Sequence, residues 1–206
     1  MVQAFYETLF SDAVRQMQQE QGTDRMYARH LSDAAPRKDV LGPDEVLFLS
    51  LRDGFYQATV SENGWPYVQF RGGPRGFLKV LDEKTIAYAD FRGNRQYISD
   101  GNLRTDDRIA IIAVDYPNSA RIKILGRARL SDDVDLIQQL RDADYRGYVE
   151  RAVVIDVEAF DWNCPQHLPV RLTMEELQPM LAPFQQELAQ LRAENAQLKE
   201  QLSKGK

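Results

Sequence analysis

At 206 residues, 43% hydrophobic and 28% charged, the chain has room for one compact globular domain with an appendage. A formal charge of −5 with no Lys- or Arg-rich run argues against nucleic acid as a partner, and one cysteine with two histidines excludes an intrachain disulfide and speaks against a bound metal. No stretch approaches the roughly 18 apolar residues that span a bilayer, and MVQAFYETLF lacks the basic head and apolar core of a secretory signal, so a soluble cytoplasmic protein without membrane partners is expected.

Near the N-terminus, Tyr6, Leu9, Phe10, Ala13 and Met17 share one face at helical spacing, which predicts a single packing helix. The polar stretch 18–38 reads as irregular or loosely helical. Gly42-Pro43-Asp44-Glu45 opens a short helix through Leu51, with Pro43 in its first turn. Strands follow at Phe55–Val60 and Pro66–Arg71, around the hairpin signal Asn63-Gly64. More are expected at Gly76–Leu81, Thr85–Asp90, Arg108–Asp115 and Ala120–Leu130, the last two joined by the turn Tyr116-Pro117-Asn118-Ser119. The segment NRQYISDGNL reads as a helix start, Asp132–Arg141 as a helix and Arg151–Phe160 as a final strand. Closely spaced strands on short turns, without the helical crossovers of a parallel sheet, predict a mainly β fold, an antiparallel barrel with flanking helices.

The C-terminal segment differs in kind. Leu181, Phe184, Leu188, Leu191, Asn195, Leu198 and Leu202 alternate in steps of three and four, an a/d seam of a coiled-coil-like helix. Asn195 falls at an a position, where a buried amide favours a registered parallel dimer. The alternative is an amphipathic helix lying on its own barrel. The plan is thus a helical segment at 1–42, a barrel at 43–172 and a C-terminal helix at 173–206.

Chemistry concentrates between Trp65 and Leu103, where aromatic strands carry Arg and Gly at their rims ahead of a helix start. Such a strand, Gly-rich approach and helix N-terminus can cradle a phosphorylated, flat cofactor. Between Arg71 and Arg129 there are 12 Lys and Arg against 7 Asp and Glu, leaving 14 against 24 elsewhere, a basic middle suited to a small anion. The plainer account is that most of these arginines are solvated strand rims.

Three pieces in order, PYVQFRGG, IAYADFRGNRQYI and ARIKILGRARL, resemble the FMN-binding split-barrel proteins related to pyridoxamine 5′-phosphate oxidase. The resemblance implies a homodimer with two equivalent FMN sites at its interface. It places Val68, Gln69, Phe70 and Arg71 along the isoalloxazine and ribityl chain, with Tyr88, Ala89 and Asp90 opposite. Asn94, Arg95 and Gln96 would hold the phosphate, helped by Arg121 or Lys123. Strand alternation puts Gln69 and Arg71 on one face and Val68 and Phe70 on the other, and a planar guanidinium suits two phosphate oxygens at once. Two departures stand out: Asn94-Arg95-Gln96 replaces the family's Ser-Arg-Lys, and Ala120-Arg121 stands where Arg-Gln is usual.

The oxidase proper ends in Arg-x-His, whereas this chain reads DWNCPQHLPVR, so pyridoxine phosphate is not the expected substrate. In that segment Trp162 would cover apolar ring area, Gln166 and His167 would bind cofactor or substrate, and His167 is the candidate proton-transfer residue. Cys164 reads as a buried, inert thiol. Three functions stay open. One is an FMN-dependent oxidoreductase acting on a small-molecule redox substrate. Another is a non-catalytic flavin- or haem-binding dimeric carrier or sensor, and deazaflavin is as compatible as FMN. The third is an interaction protein built around the C-terminal helix.

Overall fold

A computed structural model describes residues 3–32 and 34–204. They fall into two compact units, residues 1–115 with 120–166 and residues 116–119 with 167–206.

In the first unit the N-terminal amphipathic pattern does not make one helix. Ser11 ends the run, its hydroxyl accepting from the Val14 N–H, and so separates α1 (Ala4–Leu9) from α2 (Asp12–Glu20). Only α1 packs, placing Ala4 and Phe5 against Ala159, while α2 buries nothing. The buried residues Ala4 and Phe5 lie outside the expected face, of which Tyr6 packs against them while Leu9 and Met17 are exposed. The polar stretch that follows holds α3 (Asp24–Tyr27) and a 3-10 turn, Ala28–Leu31. Helix α4 (Pro43–Ser50) starts at Gly42, whose N–H donates to the Glu45 carboxylate at 2.9 Å.

Seven strands form one sheet: β1 (Gly54–Val60), β2 (Pro66–Gly72), β3 (Leu78–Asp82), β4 (Thr85–Phe91), β5 (Arg108–Asp115), β6 (Ala120–Ser131) and β7 (Val149–Trp162). Their order is β2-β1-β5-β6-β7-β4-β3, and every pairing is antiparallel. The alternating and β-branched runs predicted these strands closely. The main difference is β7, which is longer at both ends because it pairs with β4 along one edge and β6 along the other.

The sheet curls around Phe55, Phe77, Ile86, Tyr88, Ile124 and Ile155, all almost wholly buried. At the centre of β7, Ala152 to Ile155 are buried on both faces. Val153 and Ile155 face the interior, while Ala152 and Val154 lie beneath α6 (Val134–Leu140) through Leu140. Between β6 and β7 the register shifts at Leu125/Gly126, opposite Ala159 and Val157, so Glu158 is extra. A Cβ at Gly126 would sit 2.5 Å from the Asp156 carbonyl oxygen, which is why glycine stands there.

The curled sheet leaves β2 and β4 facing one another without ladder hydrogen bonds, and side chains span that gap. Arg71 on β2 pairs with Asp90 on β4 at 2.7 Å, and the Tyr88 hydroxyl on β4 donates to Gln57 on β1 at 2.6 Å. Helix α5 (Ile98–Thr105) caps the same end and is tied to β1 by the Asn102 amide donating to the Thr59 hydroxyl at 2.9 Å.

The second unit contains α7 (Met174–Lys204). Thr173 and Glu176 cap it reciprocally, each backbone N–H donating to the other's side chain. No residue of α7 is buried.

Candidate functional site

A cavity of about 330 Å³ lies where β2, β4 and the start of α5 meet, within the range of small-molecule sites. Gln69 and Arg71 enter from β2, Tyr88 to Phe91 from β4, and the loop 92–97 and first turn of α5 close the rim. The β2 alternation works as anticipated for Gln69 and Arg71. Val68 is 62% exposed on the opposite face and does not line the cavity. Phe70 reaches the rim but is 57% exposed and packs edge-on against Tyr56.

The cavity floor is an alternating charge cluster. Arg71 contacts Asp90 at 2.7 Å and Asp100 at 3.7 Å, while Arg151 contacts Asp100 at 3.2 Å and Asp90 at 3.9 Å. Two guanidinium groups and two carboxylates cancel in net charge, which makes their burial tolerable. Burial is nonetheless the stronger influence on Asp90 and pushes its carboxyl above the ordinary range, against the opposing pull of Arg71. Burial likewise raises the Tyr88 phenol, leaving it a neutral donor. The Nε atoms of Arg71 and Arg151 and one Asp100 oxygen are buried without a hydrogen bond, so the cluster keeps unused polar capacity beside the cavity.

Above the floor, Ser99 donates its hydroxyl hydrogen to the Gln69 side-chain carbonyl at 2.9 Å, leaving the Gln69 amide nitrogen as a spare donor. The loop 92–97 is moored to the start of β7. Arg92 pairs with Glu150 at 2.7 Å and lies over the Tyr148 ring, while the Tyr97 hydroxyl donates to Glu150 at 3.2 Å. Arg92 holds the Glu150 carboxyl below the usual range. Arg95 and Tyr97 adopt left-handed backbone, with φ of 61° and 52°, a conformation costly enough for non-glycine residues to mark a specified geometry. The helix begins at Ile98, so Asn94, Arg95 and Gln96 lie before it rather than in its first turn, and no side chain caps it. Asn94 accepts from the Gln96 N–H at 3.1 Å, an Asx turn that fixes the loop.

The basic middle of the sequence is therefore largely neutralised. Of the arginines lining the cavity, Arg71 and Arg92 are paired, and among the described residues Arg95 has no carboxylate partner.

The structure brings Gln69, Phe70, Arg71, Tyr88, Ala89, Asp90, Asn94, Arg95 and Gln96 to one cavity. Val68, Arg121, Lys123, Gln166 and His167 do not line it. Arg121 and Lys123 lie on β6 alongside the end of β7, where Arg121 donates to the Cys164 carbonyl at 3.1 Å. There the Arg121 Nε and Asn163 Oδ1 atoms are buried without partners. Gln166 is exposed, and His167 belongs to the second unit, exposed and at φ 61°. Trp162 is not a free cover: its indole N–H donates to Glu45 at 2.7 Å and its ring packs edge-on against Phe48. Cys164 is exposed rather than buried.

Arg92, Tyr97, Ser99, Asp100, Glu150 and Arg151 escaped sequence reasoning. Asp100 sits in the quoted helix start, but Glu150 and Arg151 arrive only through pairing of β4 with β7, roughly sixty residues on. Among the described residues no group of three His, Cys, Asp or Glu is placed to hold a metal, and no helix is long and apolar enough to cross a membrane.

The fold is thus an antiparallel split barrel with a polar cavity between its parted strands. The family model described as pyridoxamine 5′-phosphate oxidase matches residues 44–163, and the chain belongs to that family. Solved structures similar to it include HupZ from Group A Streptococcus, at 18% identity and a TM-score of 0.49, with 64% of this chain and 100% of that one covered. A putative pyridoxamine 5′-phosphate oxidase from Lactobacillus delbrueckii is 21% identical with a TM-score of 0.47, with 60% of this chain and 95% of that one covered. An FMN-binding protein from Syntrophomonas wolfei is 12% identical with a TM-score of 0.48, with 74% and 96% covered. No curated protein matches the chain.

Proposed function

We propose that the chain is an FMN-binding oxidoreductase acting as a homodimer, with the flavin phosphate at the loop 92–97 and the ring toward β2 and β4. The observation that carries this reading is Arg95, an unpaired guanidinium held by specified backbone beside an uncapped helix N-terminus. Unpaired N–H groups at that terminus and the Arg95 fork together suit a phosphate. Gln69 would offer its spare amide to the carbonyl edge of the ring, and Tyr88 and Phe91 would supply apolar wall. Bound there, the flavin would supply two-electron transfer between an organic donor and an acceptor. Arg71, fixed by Asp90 and Asp100, would set positive charge near the ring without spending its orientation on the ligand.

Residues absent from this cavity have a place in the same reading. Arg121, Lys123 and Gln166 of a second copy would complete the site, matching the orphaned polar atoms of Arg121 and Asn163. Haem is the alternative ligand: the lining holds tyrosines, one kind of axial ligand, but no His, Cys or Met among the described residues.

The test is the visible spectrum of purified protein, with mass analysis of any released chromophore. Flavin bands and an FMN mass near one per chain are expected, and the mass separates FMN from deazaflavin. Losing a charged hydrogen bond of about 1.5–3 kcal/mol, Arg95→Ala should weaken FMN binding by about tenfold or more. A colourless protein that also fails to take up added FMN overturns the proposal.

A further inference from the structure

We infer that α7 is one strand of a parallel, in-register, two-stranded coiled coil with a second copy of this chain. The seam from Leu181 to Leu202 continues backward through Leu177 and Met174 at the same spacing, so a and d positions run unbroken over the helix. At 1.5 Å per residue that seam is about 42 Å long. Its leucines and Phe184 are largely exposed: Phe184 is 67% and Leu198 57% accessible, and α7 buries no residue. Pro179 and Pro183 fall at f and c positions, on the face away from the seam.

The flanking charges identify the occupant. The g positions are Met180, Glu187, Glu194 and Gln201, and the e positions are Gln178, Gln185, Arg192 and Lys199. In a parallel dimer each g faces the e of the next heptad on the other helix. That sets Glu187 against Arg192 and Glu194 against Lys199, opposite charges in both cases. An antiparallel pair would set g against g and e against e, so Glu would meet Glu and the basic residues would meet one another. Within one helix the two pairs are five residues apart, beyond the three- and four-residue spacing at which side chains meet. The opposite charges therefore do not meet inside α7, where Glu194 accepts instead from the Gln190 amide at 3.1 Å and Lys204 pairs with Glu200. Asn195 adds a third constraint. Its amide now donates to the Leu191 carbonyl at 3.2 Å. In a parallel register it would face another Asn195 and share hydrogen bonds, whereas antiparallel packing would leave it against an apolar d residue.

The test uses the full chain and crosslinking, because a barrel dimer would make total mass uninformative. In a Cys164→Ser background, Leu198→Cys at a d position is oxidised mildly and compared with Gln186→Cys on the outward face. Most Leu198→Cys chains are expected to form a disulfide dimer, with Gln186→Cys at least about fivefold slower. Adding Glu187→Lys and Glu194→Lys should suppress the Leu198→Cys crosslink by a similar factor, as should Arg192→Glu with Lys199→Glu. Mixing the two charge variants should restore it between unlike chains. Absence of the Leu198→Cys crosslink, an equal rate at position 186, or charge variants that crosslink with themselves like the parent would each overturn the inference. Packing on its own barrel or on a different protein would give the first of these results. The flavin proposal plays no part, since the crosslink is read with and without FMN.

Discussion

Arg71 and Asp90 show how a site residue can be structural first. Their pair spans the gap between β2 and β4, and the side chains are only 15% and 5% exposed. Removing one partner leaves an uncompensated buried charge, a loss of about 3–5 kcal/mol. Asp90→Ala should therefore lower stability by about that amount in urea denaturation. Arg71→Met with Asp90→Leu should recover most of it, because Arg151 and Asp100 then remain as a balanced pair. A double variant no more stable than Asp90→Ala would contradict this account. Tyr6 provides a pH signature. Burial first, then the nearby Asp161 carboxylate, pushes its phenol up to about 12, and its hydroxyl donates to Asp161 at 3.2 Å. Since the folded chain holds that proton more tightly than the unfolded one, the contribution is whole below about pH 10. It is lost as pH rises from there through about 12. Wild-type stability should fall more steeply than that of Tyr6→Phe across this window, and parallel curves would remove Tyr6 from the explanation.

Among the elements, the β6–β7 ladder depends most on one small residue. Gly126→Ala would press a methyl group onto the Asp156 carbonyl oxygen and the Ile155 side chain. Neither is the far end of a flexible side chain, so a loss of about 1–3 kcal/mol is expected, as for overpacked cores. Equal urea midpoints for the two proteins would show that the bulge can yield. Sequence made the strands legible because alternation and turn residues are local signals, and in β2 it separated Gln69 and Arg71 from Val68 and Phe70 without saying which pair turns inward. It did not reveal the break at Ser11, where a capping hydroxyl overrides a continuous apolar stripe. Nor could it show that Trp162 is held by Glu45 and Phe48, a contact set by packing of α4 on the barrel. The loop 92–97 was half legible: Asn94, Arg95 and Gln96 were visible as residues, while the salt bridge neutralising their neighbour Arg92 comes from Glu150 on β7.

For the whole molecule, the two units differ in how they hold together. The first owes its stability to a closed apolar interior, whereas α7 contributes no buried residue. A chain ending at residue 172 should therefore melt within about 5 °C of the full-length protein and bind FMN equally well. Loss of FMN binding on truncation would tie the helix to the site and contradict the domain boundary placed there.

The strand order has a consequence for handling the protein. As the last strand in its sheet, β2 carries backbone donors and acceptors along a side with no ladder partner, and its residues Gln69 and Arg71 reach into the cavity. Such an edge is a template on which another chain can polymerise. Whatever seats itself between β2 and β4 also screens that template, so a ligand for this cavity should act as a solubiliser, delaying the onset of light scattering on warming beyond what its effect on the melting temperature accounts for.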